Sequence, residues 1–186
     1  MKLNYCFLLI AFATLFTFNA NAQITSGNTH FAKGETDINA GLGLVRTFYS
    51  SASTVMPPLS VSAEYGITDA ISVGGFIGLA SAREEWFGGN VNYNFFILGA
   101  RGSYHFQIFD QMDTYAGLML GYNNVSANFG DYYDGDIYDD TVAASAMALS
   151  AYVGARYNLK DQWCIYGELG YGISVLNIGV SMKLSK

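Results

Sequence analysis

Between Phe96 and Phe106 the chain alternates two chemically opposite faces. Phe96, Leu98, Ala100, Gly102, Tyr104 and Phe106 form one face, and Ile97, Gly99, Arg101, Ser103 and His105 form the other, with an arginine in mid-segment. A period of two marks a β-strand. An apolar face ending in aromatics, backed by glycine, serine and a lone charge, suits a strand with lipid outside and a polar lumen inside. The same alternation predicts eight strands, at roughly 36–46, 59–67, 70–82, 93–106, 114–123, 142–158, 163–172 and 174–184. Most reach the ~9–11 residues that a tilted strand needs to cross a bilayer.

Each segment keeps one apolar parity, for example Ile38, Leu42 and Leu44, then Val61, Ala63 and Tyr65, and finally Leu176, Ile178, Val180, Met182 and Leu184. The opposite parity carries Asn39, Gly41, Gly43, Ser60, Ser62, Gly74, Gly78, Asn177 and Ser181. A soluble barrel would expose Lys and Glu there, and eight strands of Leu, Ile, Phe and Tyr pointing inward would overfill its narrow interior. The connections are short at 68–69, 107–113 and 158–162, and long at 47–58, 83–92 and 124–141. The turn at 172–174 is tight. The predicted class is all-β, an eight-stranded antiparallel up-and-down transmembrane β-barrel, with short turns on the periplasmic side and long loops outward.

Composition fixes the address. Lys2, the apolar run Phe7–Phe18 and the small residues Ala20-Asn21-Ala22 form a signal peptide, expected at 1–22. A periplasmic segment at 23–35 and the barrel at 36–186 follow. Loss of Lys2 moves the formal charge from −6 to −7. An acidic chain is a poor nucleic-acid partner, because phosphate binding wants basic patches. Cys164 is the only cysteine after the signal, so no internal disulfide forms. Half the residues are hydrophobic, yet no later run approaches the ~20 residues of a membrane helix.

With signal, strands and turns in place, the chain resembles the small outer-membrane β-barrel family of OmpA/OmpX-like, porin-family type found in Gram-negative bacteria. The motifs that carry the resemblance are Tyr65-Gly66-Ile67-Thr68-Asp69, Gly99-Ala100-Arg101 and Tyr166-Gly167-Glu168-Leu169-Gly170-Tyr171-Gly172. It implies a monomer set in outer-membrane lipid and delivered by the barrel-assembly machinery. The chain departs from the usual aromatic C-terminus in ending Leu184-Ser185-Lys186.

The inward charges Glu64, Arg101, Arg156 and Glu168 balance two against two, and Asp37 and Lys183 add a pair where the first and last strands meet. A buried charge needs a partner, so a lumenal network is expected. Phe76, Phe95, Met119, Tyr152 and Tyr166 share the inward parity and help close the lumen. Outward contact candidates are Trp86, Phe87, Tyr132, Tyr133 and Tyr138. Asp131, Asp134, Asp136, Asp139 and Asp140 are oxygen donors without the spacing of a calcium loop, and first of all a solvated surface. Two histidines and one exported cysteine make no metal cluster. His30 precedes the first strand and His105 faces the lumen beside a periplasmic turn, so no histidine can activate a nucleophile on the outer side. The sequence therefore points to a non-enzymatic envelope or surface-interaction protein without cofactors, with an external ligand or surface as partner. A narrow porin-like channel gated by the lumenal charges is the alternative.

Overall fold

The computed structural model describes residues 31–47, 52–86, 89–109, 111–129, 141–160 and 162–184. The expected signal, most of the 23–35 segment, Phe87 and the loop residues Asp131, Tyr132, Tyr133, Asp134, Asp136, Tyr138, Asp139 and Asp140 lie outside them. Trp86 ends a strand, but its side chain is also outside.

Eight antiparallel strands close into a barrel in chain order. They are β1 (Thr36–Arg46), β2 (Ser53–Gly66), β3 (Ile71–Trp86), β4 (Gly89–Phe106), β5 (Met112–Phe129), β6 (Thr141–Lys160), β7 (Trp163–Gly170) and β8 (Ser174–Leu184). The apolar parity faces out: Leu42, Val61, Ile77, Leu98, Leu120, Val153, Ile165 and Ile178, one from each strand, are 40–52% exposed. The other parity is buried, with Asn39, Ser62, Phe76, Arg101, Met119, Tyr152, Tyr166 and Asn177 lining the interior. Water cannot stabilise such an exterior, and lipid can. Among the described residues no helix is long and apolar enough to cross a membrane.

Pairing partners followed from Thr36 through Tyr65, Val73, Gly102 and Leu118 lead to Ala151, beside the β7–β8 turn. That turn adjoins Arg46, at the far end of β1. One circuit thus climbs about ten residues, which for eight strands sets a tilt of roughly 40°.

Five strands are longer than their alternation suggests. β2 begins at Ser53, β3 runs to Trp86, β4 starts at Gly89, and β5 and β6 extend to Phe129 and Thr141. Much of the long loops expected at 47–58, 83–92 and 124–141 is therefore strand. Beyond the lipid both faces meet water, so Arg83, Glu85, Asn92, Asn124 and Ser126 continue the hydrogen-bonded ladder without an apolar parity to announce it. β1, β7 and β8 stop lower, leaving a five-stranded curved sheet, β2 to β6, standing above them.

Candidate functional site

The lumen is organised around Glu64 on β2. One carboxylate oxygen, Oε1, lies 3.1 Å from Arg156 Nη2 and 3.3 Å from Arg101 Nε. The other, Oε2, accepts hydrogen bonds from Ser72 at 2.9 Å and from Ser103. Glu64 therefore joins two ionic layers.

The layer nearer the short turns belongs to Arg156. Its Nη1 lies 2.9 Å from Asp113 Oδ2 and 3.3 Å from Asp37 Oδ2, and its Nε donates to Asn39 Oδ1 at 3.2 Å. The guanidinium stacks 4.3 Å from the centre of the Tyr115 ring. In the upper layer Arg101 Nη2 lies 2.6 Å from Glu168 Oε2, and Nε donates to the Tyr152 hydroxyl at 3.1 Å. Its guanidinium covers the Tyr152 ring at 3.9 Å. Tyr115 also donates to Glu168, at 3.1 Å. A desolvated guanidinium needs several acceptors in fixed positions, and each arginine has them.

The inward glycines have a packing reason. Tyr115 stands opposite Gly154, Tyr152 opposite Gly117 and Tyr166 opposite Gly179, so each ring lies flat across the neighbouring strand. A Cβ at Gly154 would sit 2.5 Å from the Tyr115 ring. Small residues on the inner parity thus make room for large ones beside them.

All six sequence-derived charges fall on or beside this network. Asp37 is in register with Lys183 as expected, but its carboxylate also points at Arg156. Two members were missed. Asp113, assigned to a turn, is the second residue of β5 and fully buried. His105, placed in the lumen by parity, is bonded into the network through Nδ1, 3.0 Å from Asp113 Oδ1, and Nε2, 2.9 Å from Ser72 Oγ. The signal for Asp113 was its parity, shared with Tyr115 and Met119.

The expected balance of charge therefore needs correcting, because Asp37, Glu64, Asp113 and Glu168 face Arg101, Arg156 and Lys183. Ser72, His105 and Asp113 are connected in the order of a hydrolase triad. All three residues are fully buried, however, and the Ser72 hydroxyl donates to Glu64 and not to the histidine.

Above the ionic layers Phe76, Ala80, Ile97, Met119 and Ile173 form an apolar cluster with Tyr115 and Tyr152. Ile173, from the tight β7–β8 turn, folds inward and is 1% exposed. A void of about 10 Å³ lies beside Arg101 and Glu168, the size of a single water. At the outer mouth a hollow of about 180 Å³ is lined by Thr47, Phe95, Ile97, Asn123, Val125 and Ile173, among others. Among the described residues no group of acidic, histidine or cysteine side chains is arranged to hold a metal ion.

No family model matches the chain, and no curated protein matches it by sequence. Its architecture does match solved structures. The outer membrane protein OprG of Pseudomonas aeruginosa aligns with a TM-score of 0.54 at 11% identity, over 84% of this chain and 98% of that one. Neisserial surface protein A aligns with a TM-score of 0.54 at 13% identity, over 82% and 96%. Ail, the attachment invasion locus protein of Yersinia pestis, solved with the heparin analogue sucrose octasulfate, aligns with a TM-score of 0.51 at 15% identity, over 81% and 95%. The fold is that of a small outer-membrane β-barrel. At these identities the likeness carries the architecture, and the interior and the outer sheet of this barrel have to be read from its own residues.

Proposed function

We propose that this chain is a non-enzymatic, monomeric barrel of the Gram-negative outer membrane. In this reading its lumen is filled, and it works through the sheet that stands above the lipid. The observation that carries the reading is an unguarded strand edge on β6. Above Ala151, β6 pairs with β5 alone among the described residues, because β7 ends at Gly170. Val142 on this stretch is 60% exposed, and the stretch carries no charge, no glycine and no proline.

The opposite rim of the same sheet is treated differently. Among the described residues β2 above Leu59 also has no β1 partner, and it holds Pro57 and Pro58, the only two prolines of the chain. Proline and charge are the usual guards of an exposed edge, and here one edge is guarded and the other left open. An open edge of this kind takes up an extended polypeptide segment by strand addition. A second copy in the same membrane does not fit. Strands tilted by roughly 40° and related by an axis along the membrane normal would cross at about 80°. Ail was solved with a polyanion, but an acidic chain with a formal charge of −6 is a poor counterpart for one.

The strand phase supplies a clean test. Ala151 accepts a hydrogen bond from Tyr171 on the β7 side, so in this unbulged strand Ala143, Ser145, Met147 and Leu149 also direct their backbone groups to the open side. Proline at Ala143 and Met147 removes donors there while leaving the β5 ladder intact. Cells displaying the Ala143→Pro, Met147→Pro barrel should lose retention on an immobilised unfolded polypeptide, with the barrel still heat-modifiable on gels. Retention equal to that of the original barrel would contradict the reading.

A further inference from the structure

The ionic layer of Asp37, Glu64, Ser72, His105, Asp113 and Arg156 lies next to the short-turn rim, yet every member is 0–1% exposed. Side chains so near an open barrel end are wetted unless something covers them. The cover comes from residues ahead of β1. The Phe31 ring lies flat on the His105 ring, with centroids 3.8 Å apart and planes 2° from parallel, and Phe31 itself is 1% exposed.

The backbone holds this residue in place. The Gly34 amide donates to the Gly66 carbonyl at 2.9 Å, and the Gly66 amide donates to the Glu35 carbonyl at 2.9 Å, continuing the β1–β2 ladder past the barrel rim. The Ala32 amide donates to Glu35 Oε2 at 3.0 Å, and the Lys33 amide to Asp69 Oδ1 at 3.0 Å. Gly34 has φ of +88°, a conformation that costs glycine little and other residues more, and it turns the chain back under the rim. Gly66 is specific to the same arrangement, since a Cβ there would sit 2.5 Å from the Ala32 carbonyl oxygen and 3.0 Å from the Phe31 ring.

We propose that residues 31–35 are a built-in stopper for the periplasmic end of the barrel, with Phe31 as its plug and the His105 face as its seat. The stopper keeps water from the lower ionic layer, where desolvation strengthens the Arg156, Asp37, Glu64 and Asp113 contacts. It acts on access from the periplasm alone, because Arg101, Glu168, Tyr115 and Tyr152 still fill the level above. It is independent of what the outer sheet binds.

Nuclear magnetic resonance on the exported barrel in micelles tests it, with His30→Gln to leave His105 as the one histidine. In the otherwise unaltered barrel the His105 ring signals should resist broadening by a water-soluble paramagnetic chelate, and the Gly34 and Gly66 amides should exchange slowly. Phe31→Ala should expose the ring and speed Gly34 exchange by roughly tenfold or more, as expected when a locally closed segment is released. Gly66→Val should do the same with Phe31 still present, and Phe31→Tyr should keep the seal. Rapid broadening before any change at Phe31, or full protection of His105 in Phe31→Ala and Gly66→Val alike, would overturn the proposal. Steady conductance in Phe31→Ala would leave the stopper standing and refute the filled lumen, so the two readings fail separately.

Discussion

Replacing Arg156 with methionine should cost about 3–5 kcal/mol of barrel stability, the usual penalty for removing one partner from a buried charge network. The guanidinium is fully buried and faces Asp37, Asp113 and Glu64 at 3.3, 2.9 and 3.1 Å. Methionine keeps the aliphatic stem and lacks only the guanidinium head, so most of the loss is electrostatic. Three carboxylates would remain in a dry layer, with Arg101 beside Glu64 and Lys183 in register with Asp37 as the neighbouring cations. The urea midpoint of the refolded barrel measures the loss. Adding Asp37→Asn and Asp113→Asn to Arg156→Met should recover part of it, since fewer charges are then stranded. An unchanged midpoint in Arg156→Met would show that the network does not hold the strands together.

Arg101→Glu should have the second largest effect. It would set a third carboxylate against Glu64 and Glu168, and it would remove the 2.6 Å pair with Glu168. Like charges in a low-dielectric layer repel strongly, so the variant should assemble poorly and migrate as unfolded protein. Coupling it with Glu168→Arg restores one pair in reversed sense and should rescue a measurable share of folding, with the double-mutant cycle giving the interaction directly. In a conducting barrel the same reversal would leave folding intact and shift ion selectivity.

The fold was readable because lipid enforces a period of two over each crossing. Leu118, Leu120 and Tyr122 could face only one way, and their exposure of 44–58% bears this out. Where that pressure ends, the sequence goes quiet. Asn92, Ser126 and Asn128 look like loop and are strand, because pairing above the membrane requires backbone groups and little from side chains. Parity also placed Glu64, Arg101, Arg156 and Glu168 in one interior, but it could not show that Glu64 serves both arginines. That depends on tilt and stagger, which bring residues distant in sequence to one height. Asp113 was lost for a smaller reason: β5 begins two residues before its apolar pattern does. Phe31 carried no signal of its own, since a single aromatic ahead of a strand has no periodicity to betray its seat on His105.

The interior and the outer sheet divide the labour in this account. In the proposed function, paired charges and tyrosines packed on glycines hold the barrel shut, and the open β6 edge meets the exterior. The void beside Arg101 is about 10 Å³, room for a single water. Planar-bilayer recording on the purified, refolded barrel tests this most directly. The account predicts no steady conductance above the bare membrane, whereas stable single-channel steps whose selectivity follows the charge at residue 101 would contradict it.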